Sequence, residues 1–533
     1  EERFEPSEDG PLKGELRLEG VTCEGPGPQL HDIRLDIPEG AKMLIIGREA
    51  DGRSELMEIM ARLTEPTAGQ VTLAGRNIAT LPNAALGRCI VYGRSNAFIY
   101  SETLRGNMLH DFRHRPLVRP HDLPSEARRR VAEAHATGNS EDLLSSSWED
   151  PEEAGVKDRT AMDMRALEVL DSVGLGDDTF RLGLASRIDP EAEAAPLDDL
   201  LTARRMVREQ LAADPVAADL VELWDIERFS PSASIAENAL FAMPTNLSAR
   251  IPDLARDPLV IEFLKRSELE SELLQMGLEA ARIMVELFSE VSSDSRSLAD
   301  FSLLGADELP VYADILKRAD GKRGVAKLKA GGKAMLISLA FSLVPAKHRL
   351  GIVTPEREAM LVRARPLFHK MIEKGSDAAF VPFDPNLYAP PLTVEDNLIF
   401  GKHRLDRRGD RRAVERITIG VIEELGLASQ IRRAGLDFHV GVAGSRLSAN
   451  QRERLTLARL IYRNAPIALV DGLLDGPAGS EPSVRDALLR ACEGRTLVVT
   501  SEREDLAHLF DTVVRLTEGR IVTTHDETRE AAK

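Results

Sequence analysis

The sequence predicts an α/β fold whose sheet is assembled from both ends of the chain, with a long helical stretch inserted between them. Three observations predict it. Near the C-terminus a capped helix runs into a short apolar strand ending in Asp471. Near the N-terminus an apolar strand, a glycine-bracketed loop and a helix follow in turn. Between them two short motifs recur, as duplicated helical segments do.

Residues 1–13 are mostly polar and read as a linker. Leu16 and Leu18, then Ile33, Leu35 and Ile37, alternate as half-buried antiparallel strands do. Met43 to Ile46 is a continuous apolar strand leading into Gly47-Arg48-Glu49-Ala50-Asp51-Gly52-Arg53-Ser54, and a helix is predicted from Glu55 to Leu63. That is the context a phosphate-binding loop needs. At the other end, Ser448 with Gln451 three residues on forms a capping box, so a helix is predicted to start near Ala449. Asn464 and Pro466 stop it. Ile467 to Val470 then suits a buried parallel strand, with the Asp471 carboxylate at its C-terminal end. Helix N-termini hold anions, and α/β sheets bind ligands beyond the C-terminal ends of their strands.

The recurring motifs lie in the middle. TLRGNML at Thr103, SIAENALF at Ser234 and TVEDNLIFG at Thr393 form one set. LDSVGLGDDTFRLGL (170–184), LKRSELESELLQMGL (264–278) and IEELGLASQIRRAGL (422–436) form the other. The surplus residues of the first copy turn polar, basic from Arg113 to Arg130 and then SSSWEDPEEAG (145–155), and read as a surface insertion.

Composition narrows the function. The chain has 533 residues, 43% of them hydrophobic, enough for large cores. A net charge of −18 and only 4% aromatic residues argue against nucleic acid as a partner. Cys23, Cys89 and Cys492 lie far apart without metal spacing, as in a reducing compartment. The uncharged run around Ala334 is too short to span a bilayer and reads as a buried helix.

LSANQRERLTLAR followed by IALVD resembles the signature helix and Walker B strand of the ATP-binding cassette (ABC) ATPases, and GREADGRS resembles their Walker A loop. PTAGQVTLAG (66–75) with CIVYGRSNAFIYSETLRGN (89–107) resembles the strand and Q-loop of ABC exporters. GRTLVVTSERED (494–505) and DTVVRLTEGRIVTTHDE (511–527) resemble the switch region and closing hairpin. The resemblance implies a P-loop NTPase core with an antiparallel β subdomain, built from 14–107 and 441–527. It further implies an enlarged, internally repeated α-helical insertion over 108–440 and a tail at 528–533.

It also implies a nucleotide site for ATP and Mg: Gly47, Ala50, Gly52, Arg53, Ser54 and Glu55 around the phosphates, with Ser54 and Asp471 holding the metal. Leu447, Ser448, Ala449, Asn450 and Gln451 stand at the signature, Ser95 at the Q-loop position and Glu502 at the switch position. Several positions depart from the family pattern. Arg53 replaces the Walker A lysine, Ala449 and Asn450 the signature glycines, Gly472 the general base, Ser95 the Q-loop glutamine and Glu502 the switch histidine. Gly25 stands near the adenine-stacking position. Glu49, Asp51 and Glu55 flank Arg53 in sequence, and a carboxylate about 5 Å from a phosphate costs roughly 1–3 kcal/mol. Arg53 is either a site cation or a solvated loop charge.

The implied partners are a transmembrane domain and a second nucleotide-binding domain, identical or different, at the cytoplasmic side of a membrane. Three functions stay open: a degenerate transporter nucleotide-binding domain, an active ATPase in which Arg53 and Asp475 substitute for missing groups, and a non-catalytic scaffold.

Overall fold

A computed structural model describes residues 11–25, 27–118, 123–143, 146–190, 196–246, 250–288, 303–305, 307–319, 324–374, 379–407 and 411–522. Most of the expected linker and the whole tail at 528–533 lie outside the described residues. The chain forms two compact units, Glu1–Gly183 with Gly435–Lys533, and Leu184–Ala434. The expected insertion 108–440 is thus divided: 108–183 and 435–440 pack within the first unit.

The first unit holds a six-stranded sheet in the order Arg520–Val522, Thr512–Thr517, Lys42–Ile46, Thr496–Ser501, Ile467–Asp471, Ile90–Arg94. All its neighbours pair in parallel except the terminal hairpin. Thr496–Ser501 and Ile467–Asp471 are buried along their whole length, which is why each carries consecutive apolar residues, at 497–499 and 467–470. A four-stranded antiparallel sheet, Leu30–Ile37, Leu16–Cys23, Ala68–Leu73 and Arg76–Asn77, is the β subdomain. Its Leu16, Leu18 and Ile33 share one core with Leu56, Met57 and Met60 of the helix after the phosphate loop. The strand before that loop and the strand ending in Asp471 therefore lie in one sheet, separated only by Thr496–Ser501.

The helices Leu104–Leu109, Arg159–Ser172 and Ala449–Arg463 share a second core. Within the stretch read as a surface insertion, Ser125–Thr137 buries no residue. The rest departs from that reading. Ser147–Glu149 pairs with Arg113–Val118, and Glu153 is held by His114 (3.0 Å), Arg463 (3.0 Å) and Arg88 (3.5 Å). Burial alone would raise the Glu153 pKa, but hydrogen bonds and charge from His114 and Arg463 bring it down to about 2. A folded pKa below the unfolded value gives stability that is present above about pH 4.3 and is lost as pH falls toward the folded value. Wild type is therefore expected to lose more thermal stability than Glu153→Gln between about pH 5 and pH 3. Equal losses on thermal melts would exclude this role.

The second unit is built from two equivalent halves that complete each other. One offset in residue number carries Leu220 to Ala379, Trp224 to Phe383, Ser230 to Ala389, Asn238 to Asn397 and Phe241 to Phe400. The pairing is reciprocal. Val221–Leu223 of the first half pairs antiparallel with Gly401–His403 of the second, and Phe380–Pro382 of the second with Ala242–Pro244 of the first. The Trp224 amide donates to Phe400 O (3.0 Å), and the Phe383 amide to Phe241 O (2.9 Å). Trp224 and Phe383 stack across this pseudo-dyad with ring centroids 4.4 Å apart.

An arginine from each half holds the other half's turn. Arg365 donates to the Asn238 carbonyl (2.7 Å) and to the carbonyls of Asp225, Ile226 and Arg228. Arg204 donates to the Asn397 carbonyl (2.7 Å) and to those of Asp384, Pro385 and Leu387. Each guanidinium also lies over a phenylalanine, Arg365 over Phe241 and Arg204 over Phe400.

The first set of recurring motifs has a physical basis. Thr103, Ser234 and Thr393 each cap a short helix through a hydroxyl accepting from the third amide on. Asn107, Asn238 and Asn397 then bracket the preceding turn, each accepting from an amide and donating to a carbonyl of Tyr100, Ser230 and Ala389 respectively.

Candidate functional site

The phosphate loop begins where Lys42–Ile46 ends. Glu49–Asp51 make one 3-10 turn, and Gly52 at φ +91° turns the chain into the helix Arg53–Met60. Glycine is required there, because a Cβ would also lie 2.8 Å from Leu30 Cδ2. The helix begins two residues earlier than expected and ends at Met60. Ala50 is exposed and Ser54 half-buried.

Arg53 is only 8% exposed, which excludes the solvated-charge alternative. Its Nη1 donates to Gly47 O (3.2 Å) and to Asp475 Oδ2 (2.8 Å), and its Nη2 lies 3.9 Å from Glu502 Oε1. Asp475 Oδ1 in turn accepts from Ser501 Oγ and from the Glu502 amide. The guanidinium is therefore folded back on the first glycine of its own loop and locked there by a carboxylate from beyond the Asp471 strand.

The carboxylates expected to crowd Arg53 divide differently. Asp51 is buried at the base of the loop, accepting from the Arg48 amide (3.0 Å), Arg48 Nε (3.3 Å) and the Glu518 amide (3.2 Å). Burial alone would raise its pKa, but those two amides and the Arg48 side chain hold it below the usual range. Glu49 is exposed. Glu55 is half-buried; burial first, then the charges of Glu58, Asp471 and Glu49, push its pKa up. The carboxylate facing Arg53 most closely is Asp475, one that sequence neighbours do not reveal.

Asp471 is 3% exposed and sits in register beside Thr500. Its Oδ1 accepts from Thr500 Oγ1 (2.6 Å) and its Oδ2 from the Tyr92 hydroxyl (3.1 Å). Burial and the Asp471 charge raise the Tyr92 pKa, so that hydroxyl stays protonated and donates. Ser95, at the Q-loop position, donates its amide to Asp471 O (3.2 Å). Gly472 has φ +64°, and a Cβ there would lie 3.3 Å from Arg53 Nη2 and 3.8 Å from both Asp475 Oδ2 and Ser95 Oγ.

Restoring a carboxylate at that position is therefore not expected to restore a base. Gly472→Glu would adopt a left-handed backbone and pair with Arg53. A strained backbone of this kind costs of order 1–3 kcal/mol. A lower melting temperature with no gain in phosphate release is the expected result; a gain would show the site is closer to competence than its geometry implies.

The signature helix starts as read, with Ser448 and Gln451 capping each other. Gln451 Nε2 also donates to Asp178 Oδ1 (2.8 Å), and the Asn450 amide oxygen accepts from Arg454 (3.1 Å). Leu447 is buried, while Ser448 and Ala449 are exposed. Glu502, half exposed at the switch position, meets the site through its carboxylate at Arg53 and through its amide at Asp475.

Mg²⁺ needs open oxygen ligands. Both Asp471 oxygens accept hydroxyls, Asp475 is tied to Arg53 and Ser501, and a guanidinium lies beyond Gly472. Neither Asp471 nor Asp475 therefore stands open to the metal. Among the described residues no group of three metal-ligating side chains occurs.

Sequence reasoning named Asp475 only as a stand-in base and missed Tyr92, Thr500 and Ser501. Thr500 was open to discovery from strand register alone, since it is the cross-strand neighbour of Asp471. Also missed was the Ala-Arg pair in each of three helices, Ala203-Arg204, Ala364-Arg365 and Ala458-Arg459. In the first unit Arg459 donates to Phe98 O (3.0 Å), the counterpart of the two grips in the second.

A mostly parallel sheet with an antiparallel β subdomain, and a phosphate loop one strand away from a capped helix–strand pair, define a P-loop ATPase core of the ABC type. Residues 30–183 match the family described as ABC transporter. The chain is 30% identical over 290 residues to an ATP-dependent lipid A-core flippase of Burkholderia orbicola (strain AU 1054), covering 50% of this chain and 46% of the relative. It is 35% identical over 140 residues to the flippase of the same name from Xanthomonas oryzae pv. oryzae (strain MAFF 311018), covering 25% and 23%. The chain thus spans less than half the length of these relatives. Among solved structures it is similar to one described as a bacterial Atm1-family ABC exporter with ATP bound, at 9% identity and a TM-score of 0.37, covering 99% of this chain and 42% of that one.

Proposed function

We propose that the chain is the nucleotide-binding domain of an ABC-type exporter whose own site has lost ATP hydrolysis. It works by coupling to a transmembrane domain and by pairing with a second nucleotide-binding domain, identical or different, at the cytoplasmic face of a membrane. The transmembrane domain belongs to the same longer polypeptide or to a partner; no helix among the described residues is long and apolar enough to cross a membrane. The cargo named for the relatives, lipid A-core, is the first to test.

The observation behind lost hydrolysis is the position of Arg53, bonded to Gly47 O and Asp475 where phosphate would be gripped. With Gly472 and Glu502 at the base and switch positions, general-base assistance of about 10² to 10⁴-fold is missing. Purified protein in MgATP is expected to release no more phosphate than its Asp471→Ala variant. Turnover that disappears in that variant would overturn this reading in favour of an active ATPase using Arg53 and Asp475.

A scaffold role is the second reading, favoured by a second unit that twice repeats the Asn-bracketed turn beside an arginine-bearing helix. Under it, excess MgATP would leave the melting temperature unchanged.

A further inference from the structure

We infer that the Arg53 guanidinium is the resident cation of this nucleotide site, so that triphosphate binding here does not depend on a divalent metal. The inference rests on the proposed function and specifies the charge chemistry of the same site. Three separate features converge on it. The Nη2 of Arg53 lies against Gly472, at the C-terminal end of the strand that carries Asp471. The Asp471 carboxylate, which would anchor a metal, accepts hydroxyl protons at both oxygens from Tyr92 and Thr500 and is 3% exposed. Asp475 neutralises the guanidinium rather than standing open to a second cation.

A guanidinium stays charged at any physiological pH and offers a planar pair of donors to phosphate oxygens. It carries one positive charge, paired with Asp475, where a metal would carry two. Metal-free ATP would therefore bind with no loss relative to MgATP, whereas a P-loop site that uses the metal loses affinity when the metal is removed.

The test is calorimetric titration of ATP into the intact chain, once in excess Mg²⁺ and once in EDTA, with Mn²⁺ electron paramagnetic resonance reporting metal uptake. Wild type is expected to bind equally in both arms, within about twofold, and to take up no Mn²⁺ with the nucleotide. Arg53→Gln should lose binding in both arms. Tyr92→Phe, which frees one Asp471 oxygen, should become tighter in Mg²⁺ than in EDTA. Wild-type binding weaker by about tenfold or more in EDTA, or Mn²⁺ uptake with ATP, would overturn the inference while leaving the proposed function standing. Absence of binding in both arms would overturn the inference and the nucleotide-binding part of that function together.

Discussion

Arg365→Ala is expected to unfold the second unit under conditions where the first stays folded. Arg365 is completely buried, and its donors satisfy the carbonyls of Asn238, Asp225, Ile226 and Arg228. Burial pushes its pKa down, partly opposed by the nearby Asp225, to about 10, so it remains charged at neutral pH. Truncation leaves those acceptors without their donor, at about 1–3 kcal/mol for each buried group left unsatisfied, and opens a cavity beside Phe241. Even with strong non-additivity the loss is about 4 kcal/mol or more, a large part of the roughly 5–15 kcal/mol that holds a domain folded. Lysine will not rescue it, because one ammonium cannot span a fan of carbonyls that a planar fork does.

The pseudo-dyad makes a second demand: Arg204→Ala must cost about as much, since its 3% exposed side chain performs the same task on the other half. Of the two tryptophans, Trp224 lies within this cluster, so a Trp148→Phe background lets its fluorescence follow the second unit alone. Urea midpoints that fall for one arginine and not for the other would refute the reciprocal arrangement.

How much of this was legible depends on the range over which each interaction acts. The helix Ala449–Arg463 and strand Ile467–Asp471 were readable because a cap, a helix stop and an apolar run are local. The first set of motifs was readable because each copy carries its own cap and its own asparagine bracket, both local in sequence. Arg204 and Arg365 were not, because an arginine on a helix reads as a solvated charge until the remote carbonyls it serves are known. The site lock was hidden for the same reason: Asp475 meets Arg53 only after the strands Lys42–Ile46, Thr496–Ser501 and Ile467–Asp471 are aligned, and nothing local distinguishes it from Asp51 or Glu49. The boundary at Gly183 was invisible because it falls inside a helix, Gly176–Leu184, whose periodicity continues through it.

Asp475→Asn is expected to move stability and ligand affinity in opposite directions. In the free protein Arg53 loses the partner at 2.8 Å that holds it on its own loop, and its side chain is only 10% exposed while that of Asp475 is 23% exposed. Breaking a partly buried pair of this kind costs about 1–3 kcal/mol, less than a fully buried one because solvent still reaches the carboxylate. For a phosphate the same change removes a negative charge about 5 Å away and releases the guanidinium, worth about 1–3 kcal/mol in the other direction. That corresponds to an affinity gain of roughly 5- to 150-fold. The amide can still accept from Ser501 and the Glu502 amide, so the strand ends are not otherwise disturbed. Glu502→Gln is the control: its side chain is 54% exposed and 3.9 Å from Arg53, and an exposed pair contributes at most about 1 kcal/mol. A melting temperature that falls in Asp475→Asn without tighter ATP binding would mean that Asp475 braces the loop and does not guard it.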